Sequence, residues 1–136
     1  MKYIDVPTVS YELAAEIVSV AIAEGQKIGV PVSIAVVDPG LNLVAFGKAD
    51  GATTHSIETS RRKANTAAST KKETGWMDGS LEIKLPLGAN NLLTNIPGGH
   101  PISIDGKFVG GFGIAGGTIE QDAQVAEAVK GKIGSE

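Results

Sequence analysis

The sequence contains no cysteine among its 136 residues, so disulfide bonds, thiolate nucleophiles and thiolate metal ligands are all excluded. Aromatic residues make up only 4% of the chain, which leaves few side chains for the flat walls that often hold planar cofactors. No apolar run has the length of a membrane-spanning helix, and the formal net charge is only −3. Lysine and arginine form no long basic run either, which argues against a nucleic-acid groove. These absences favour a soluble, cytoplasmic protein with neither a membrane nor a nucleic acid as its partner.

The order of helical and strand patterns predicts one mixed domain over residues 1–136. An amphipathic helical pattern begins after a cap at Thr8 or Ser10 and ends at Gly29, before Pro31. Two pairs of apolar, β-branched runs have the length and spacing of antiparallel hairpins: VSIAVVD with LVAFG, and HPISI with KFVGGFGIAG. Helical patterns separate and follow these hairpins, so we expect an antiparallel α/β sandwich and not a parallel doubly wound sheet.

Local signals predict where several elements begin and end. Asp105-Gly106 suits a two-residue type I′ turn, because both central residues of that turn need positive φ. Thr118 is expected to cap the last helix, and the glutamine three residues later completes a capping box. The second helix is expected to begin after a Thr53 or Thr54 cap. A short helical turn is predicted over Leu87–Leu93, inside an otherwise irregular segment.

Glycine is concentrated between Pro97 and Gly117, in the stretch PGGHPISIDGKFVGGFGIAGG. Glycine is costly in strands, so the stretch predicts either tight turns or a backbone that must approach another group closely. Gly111, Gly113 and Gly116 match the dinucleotide-binding spacing G-x-G-x-x-G. Two of them fall inside a predicted strand, whereas the true fingerprint is a turn between a strand and a helix of a parallel unit. We therefore do not expect a dinucleotide site.

The Gly116-Gly117 pair precedes the last helix and has two interpretations. Free backbone N–H groups and the helix dipole at such a position can hold an anion. A tight turn between a strand and a helix explains the same two glycines without any ligand, and this plainer interpretation is favoured.

The second predicted helix carries a candidate ligand-binding cation. Helical spacing places Ile57, Ala64 and Ala68 on a buried stripe, with Ser56 and Lys63 along its edge. Lys63 is therefore expected to be half-buried beside hydroxyl groups. It could pair there with the carboxylate of a ligand, or it could be a snorkelling lysine at a subunit contact.

His100 is the second candidate, because it lies between a Gly-Gly turn and Pro101. This position suits a general base or a ligand to a bound group, and it suits equally a histidine that binds a backbone carbonyl. With Gly98 and Gly99 supplying backbone N–H groups at close range, we expect Lys63 and His100 to face one anion-accepting concavity. No pair of histidines has the spacing of metal ligands, so no metal site is predicted.

Four segments taken together resemble the GlcG/HbpS/PduO C-terminal family. VGGFGIAGGTIEQD is similar to the family pattern V-G-x-x-G-V-S-G-G-T-x-E-Q-D, and VVDPGLNLVAFGKADGA is similar to its V-V-D-x-x-G hairpin and D-G-A. SIETSRRKANTA resembles its S-x(6)-K-A-x-T-A helix, and PGGHPI resembles its P-G-G-x-P-I. The match runs from about Thr8 to Val129. The chain departs from the pattern at Ala115, where the family often has Ser, and at His100, where an apolar residue is usual.

The resemblance implies a profilin-like three-layer sandwich, with a central antiparallel sheet of about five strands and helices on both faces. It also implies a homo-oligomer, either a dimer or an octamer, and a small-molecule ligand such as haem or a corrinoid. If haem binds, its axial ligand would be a group other than a side chain, or none, or one of a short set of side chains: His55, His100, Met77, Tyr3 and Tyr11.

Three functions remain open from the sequence. The first is a binding protein that holds a planar tetrapyrrole at a multimer interface. The second is a small catabolic lyase or isomerase that uses Lys63 and His100 on an organic acid, although no known catalytic motif is present. The third is an assembly module without a ligand. The residues predicted to contact a ligand are Ser56, Lys63, Gly98, Gly99, His100, Gly116 and Gly117.

Overall fold

The computed structural model describes all 136 residues, which form four helices and one four-stranded sheet. In chain order the elements are α1 (Tyr11–Lys27), β1 (Ser33–Val37), β2 (Leu43–Lys48), α2 (Ser56–Thr70), α3 (Leu81–Gly88), β3 (Gly99–Ile104), β4 (Lys107–Ala115) and α4 (Ile119–Ile133). The sheet is antiparallel, with strand order β2-β1-β4-β3. Helices α1 and α4 pack on one face and α2 packs on the other, which confirms the expected three-layer sandwich. None of the helices has both the length and the apolar character needed to cross a membrane.

The sheet has four strands where about five were expected. The second hairpin was expected to contribute two or three strands, but its second arm is the single nine-residue strand β4. This strand pairs with β3 along one side and with β1 along the other. The two registers overlap at residues 111–113, and β3 pairs with the first part of β4 while β1 pairs with the last part, so the glycines inside β4 create no break and no fifth strand.

Three of the predicted element ends are confirmed. Ser10 caps α1 by accepting a hydrogen bond from the backbone of Leu13 at 3.1 Å. Thr118 caps α4, and both hydrogen bonds of the capping box are present. Asp105 and Gly106 have φ values of 53° and 75°, as a type I′ turn requires. Each of these signals depends only on residues that are close in the sequence.

Two other predicted ends are wrong. No side chain caps α2; instead the hydroxyl of Ser56 donates to Thr53 O at 2.6 Å. The short helix α3 covers Leu81–Gly88 and not Leu87–Leu93. It ends early because Asn90-Asn91 adopts left-handed φ values of 54° and 59°, a conformation that terminates helices.

Two hydrophobic clusters of unequal size hold the layers together. The larger one fills the space between the sheet and the α1/α4 layer and includes Ile17, Ile34 and Phe112. The smaller one lies between the sheet and α2, and its buried members are Ala35, Val37, Ala64 and Ala68. Since the contact with α2 consists of small residues, α2 lies close to the sheet, and this closeness shapes the candidate site.

Candidate functional site

The glycines of β4 allow the backbone of α2 to lie directly on the sheet. A Cβ atom built on Gly111 would stand 2.8 Å from Ala64 O. One built on Gly113 would stand 2.6 Å from Ala64 N and would also collide with Ser60 O. Two glycines of the G-x-G-x-x-G match are therefore explained by close approach of a helix, and no nucleotide is needed to account for them.

Lys63 extends from α2 across this glycine surface, and its ammonium group is buried. The side chain is 1% exposed, and Nζ donates to Ile114 O at 2.7 Å and to Asp122 Oδ2 at 3.0 Å. Gly98 leaves the space that the lysine occupies, because a Cβ atom there would stand 3.0 Å from Nζ. Burial lowers the pKa of Lys63 below its usual 10.5, although the carboxylate of Asp122 acts in the opposite direction.

Asp122 links this ion pair to the start of α4. Its Oδ1 accepts a hydrogen bond from Gly117 N at 2.8 Å, while its Oδ2 is held by Lys63. The next backbone N–H, that of Thr118, donates to Gln121 Oε1 at 2.9 Å. The backbone N–H groups of Gly117 and Thr118 therefore already have partners within the chain, which favours the tight-turn interpretation of this Gly-Gly pair.

Two more of the residues predicted to contact a ligand are engaged inside the protein. The hydroxyl of Ser56 is buried and lies 2.7 Å from the hydroxyl of Ser33 in β1. The backbone N–H of Gly99 donates to Thr74 Oγ1 at 2.9 Å. These contacts connect the α2 side of the molecule to the sheet, so they account for both residues structurally.

His100 and Lys63 do not face one concavity, contrary to the expectation from the sequence. Successive side chains of a strand point to opposite faces, so Gly99 lies beneath α2 whereas His100 points toward the α4 layer. The imidazole stacks on Phe112 of β4, with ring centroids 5.6 Å apart and planes 11° apart. It lines a cavity of about 380 Å³, while Lys63 lines a different one.

The imidazole of His100 lies between two carboxylates but forms no hydrogen bond with either. Its Nδ1 is 3.5 Å from Glu73 Oε1, and its Nε2 is 3.9 Å from Glu127 Oε2. Nδ1 is buried without any hydrogen-bond partner. Burial lowers the pKa of His100 below its usual 6.5 and outweighs the two carboxylates, which act to raise it, while Lys130 also lowers it. The imidazole is therefore mainly neutral at pH 7.

A shallow cavity of about 170 Å³ lies where α2 and α4 begin, outside the buried ion pair. His55, Ile96 and Ile119 are on its rim, and all three are exposed. The side chain of His55 does not cap α2. This cavity therefore combines a histidine that is accessible to solvent with an apolar rim.

Several apolar side chains of α3, of the segment that follows it and of the first turn of α2 are also exposed. No residue of α3 is buried, and Leu81, Ile83 and Leu87 are all open to solvent. Leu92 is exposed as well, and so is Ile57, which the helical spacing had placed on the buried stripe of α2. Ile57 lies in the first turn of α2, ahead of the small residues that contact the sheet.

The sequence patterns do not identify three acidic residues that the fold places beside Lys63 and His100. Asp122 had a local signal, its place in the first turn of α4, but this indicated only a favourable contact with the helix dipole. Glu73 and Glu127 had no local signal at all. They come from the segment after α2 and from α4, and only the tertiary fold places them beside His100.

Comparison with known proteins agrees with this architecture. The family model described as haem degrading protein HbpS-like matches residues 9–130. Protein GlcG of Escherichia coli K12 is 36% identical over 107 residues, which cover 78% of this chain and 80% of GlcG. The structure of ORFY from Klebsiella pneumoniae superimposes with a TM-score of 0.91 at 26% identity, covering 100% of this chain and 97% of ORFY. A PduOC:heme complex superimposes with a TM-score of 0.87 at 25% identity, covering 95% and 97% of the two chains.

The three-layer sandwich, in which one helix rests on a glycine-rich pair of strands and is tied to them by a buried lysine, defines a class of small profilin-like α/β proteins. Within that class, this chain belongs to the HbpS-like family. The resemblance inferred from the four sequence segments is thereby confirmed.

Proposed function

We propose that this protein binds haem at an interface between copies of the chain, and that the shallow cavity beside His55 forms one wall of the site. The observation that carries the proposal is an exposed histidine on an apolar rim that includes Ile96 and Ile119. An imidazole nitrogen is a common axial ligand of haem iron, and apolar side chains suit the faces of a porphyrin. The PduOC neighbour, which was solved as a haem complex, supports the ligand class.

The size of the cavity argues for a second copy of the chain. Its volume of about 170 Å³ is smaller than the roughly 300–1,000 Å³ of ordinary ligand sites. The exposed side chains of Ile96 and Ile119 on its rim, and of Ile57 in the adjoining first turn of α2, give a second copy an apolar surface to cover. We therefore expect a dimer or a larger homo-oligomer such as an octamer, with the ligand enclosed between subunits.

Arg62 is suited to hold the carboxylate end of such a ligand. Lys63 was expected to do so, but its charge is already paired with Asp122. Arg62 lies seven residues after His55, the residue that precedes α2, which is about two helical turns or ~10.5 Å along the helix. It lines a neighbouring cavity and not the one beside His55, so it would contact the part of the ligand that extends beyond that cavity. Its side chain is half-buried, and a guanidinium binds carboxylates in a fixed planar geometry.

The other candidate axial ligands are placed less favourably. Met77 and His100 are buried, and neither lines this cavity. Tyr3 and Tyr11 are exposed and also lie outside it. The enzymatic alternative needs Lys63 and His100 in one cavity, which this geometry does not offer. No observation favours a corrinoid over haem.

Titration with haemin, followed by the Soret absorption band, tests the proposal. We expect a saturable Soret shift for the wild-type protein and its loss in His55→Gln. Ile119→Asp should weaken haem binding and also lower the mass measured by light scattering. Leu43→Asp is the matched control, because Leu43 is an exposed apolar residue at the opposite end of the sheet, and it should change neither property.

Two results would overturn parts of the proposal. A wild-type protein that forms oligomers but gives no Soret shift would exclude haem binding and favour the assembly module without a ligand. A His55→Gln variant with the wild-type spectrum would exclude His55 as the axial ligand.

A further inference from the structure

We propose that Glu73, His100 and Glu127 form a binding site for one divalent transition-metal ion of the Zn²⁺ type. The three side chains come from the segment after α2, from β3 and from α4, and their ligand atoms all lie within 4.8 Å of one another. None of the three lines the cavity beside His55, so this site is separate from the proposed haem site and does not depend on it.

The buried imidazole is the observation that points to a missing ligand. The side chain of His100 is 5% exposed, and its Nδ1 has no hydrogen-bond partner. Buried polar atoms nearly always have a partner, so an unpaired one calls for an explanation. This nitrogen faces the carboxylate of Glu73, and an ion between the two would satisfy both.

The distances suit an ion in that position. Two ligand atoms that each lie ~2.0–2.2 Å from a tetrahedral Zn²⁺ are about 3.4 Å apart. The distance from His100 Nδ1 to Glu73 Oε1 is 3.5 Å. Glu127 would have to turn toward the same ion, and it is free to do so because its side chain is 68% exposed.

The imidazole is already held in the orientation that a ligand needs. It is stacked on Phe112, which is itself fully buried in the main core. The following residue, Pro101, restricts the backbone at this point of β3. Because the least mobile ligand is fixed before an ion arrives, binding requires only the two exposed glutamates to become ordered.

The set of donor atoms indicates the class of ion. One neutral imidazole and two carboxylates suit Zn²⁺, Fe²⁺ or Mn²⁺, whereas Mg²⁺ and Ca²⁺ prefer oxygen ligands alone. The two carboxylates together balance the charge of a divalent ion. Three protein ligands leave a fourth tetrahedral position for a water molecule.

Lys130 is the competing cation at this site. Its Nζ lies 4.0 Å from Glu73 Oε1, so its ammonium group offers the same carboxylate an alternative partner. Lys71 and Lys72 line the same cavity, but their ammonium groups lie over aromatic rings at 5.0 and 4.4 Å from the ring centroids. Removing the charge of Lys130 alone should therefore strengthen metal binding.

Zn²⁺ titration of the full chain by isothermal calorimetry near neutral pH tests the site, with Mg²⁺ as the control ion. We expect one Zn²⁺ per chain and no Mg²⁺. Glu73→Gln and Glu127→Gln should each weaken binding about ten-fold or more, and Lys130→Met should tighten it several-fold. Both glutamates are exposed, so glutamine should preserve the fold. Glu58→Gln, at an exposed position of α2 outside the cluster, should bind Zn²⁺ like the wild type.

A spectroscopic measurement distinguishes direct ligation from a purely structural effect. In ¹H–¹⁵N spectra of the imidazole side chains, Zn²⁺ should shift a nitrogen of His100 and leave those of His55 unchanged. The proposal is overturned if the wild-type protein binds no Zn²⁺, if Glu73→Gln and Glu127→Gln bind it as tightly as the wild type, or if the shifted nitrogen belongs to His55.

Discussion

Replacing Lys63 with methionine should destabilise the protein by about 3–5 kcal/mol, because the change leaves a carboxylate buried without its counter-ion. Methionine retains the apolar stem but cannot donate to Ile114 O or to Asp122 Oδ2. Asp122 would keep only the hydrogen bond from Gly117 N. If Lys63 were instead a half-buried cation that pairs with a ligand, as its position in the sequence suggested, the same substitution would weaken ligand binding and leave the fold intact.

A double-mutant cycle separates the ion pair from the packing of the lysine stem. Asp122→Asn alone should also be destabilising, because it leaves the ammonium group of Lys63 buried without a counter-charge. The double variant buries no charge, and the asparagine can still accept from Gly117 N, so it should recover much of the lost stability. We expect a coupling free energy of about 3 kcal/mol, the upper end for residues in contact.

Urea unfolding provides the assay, followed by the fluorescence of the single tryptophan, Trp76, and by circular dichroism. All variants must be compared at one protein concentration, because self-association adds to the apparent stability. A free energy of unfolding for Lys63→Met within about 0.5 kcal/mol of the wild-type value is typical of an ordinary surface substitution. Such a result would refute the reasoning. A coupling free energy near zero would do the same.

The buried ammonium group of Lys63 should also make the stability of the fold depend on pH. The pKa of Lys63 in the folded protein lies below its usual 10.5, so between the folded pKa and 10.5 the unfolded state binds more protons than the folded state. The stability of the wild type relative to Lys63→Met should therefore rise as the pH increases toward 10.5, and a difference that falls would contradict this. Gly113→Ala should cost about 3 kcal/mol, because its Cβ would meet Ser60 O and Ala64 N. Gly131→Ala, whose Cβ meets nothing within 4 Å in α4, should stabilise by about 0.5–1 kcal/mol, and equal effects of the two alanines would argue against close helix packing.

The parts of the fold that could be predicted from the sequence are those fixed by short-range interactions. The cap at Ser10, the capping box at Thr118 and the turn at Asp105-Gly106 each depend on backbone groups within a few residues. The position predicted for the short helix was wrong, although the signal used to predict it was also local. Its apolar residues indicated a helix, but the left-handed conformation at Asn90-Asn91 is not fixed by local pattern alone.

The candidate site could be predicted only in part, because its contacts are long-range. Helical spacing placed Lys63 half-buried at the edge of the stripe, whereas the side chain is fully buried, and its carboxylate partner lies 59 residues away in the sequence. The expected pairing of Lys63 with His100 failed for a similar reason. Alternation along β3 turns His100 to the face opposite α2, and a sequence pattern does not show which face a neighbouring helix will cover.

The contacts of Lys63 give a structural explanation for several residues of the segments that resemble the family. Lys63, Gly98, Gly113 and Asp122 belong to three of the four segments that resemble the family, and they meet at one buried point between α2, the sheet and α4. Lys63 supplies the cation and Asp122 the counter-charge. Gly98 leaves the space for the lysine, and Gly113 allows the close approach of α2. These segments therefore specify how the layers are joined, and a ligand is not needed to explain them. Of the side chains that we assign to ligands, His55, Glu73 and Glu127 lie outside those segments, and His100 occupies a position where the chain departs from the family pattern. Arg62 and Ile119 lie within two of the segments, but at positions that the family pattern leaves open. In this chain, therefore, the family segments hold the layers together, and most of the residues that we assign to ligands are placed around that framework.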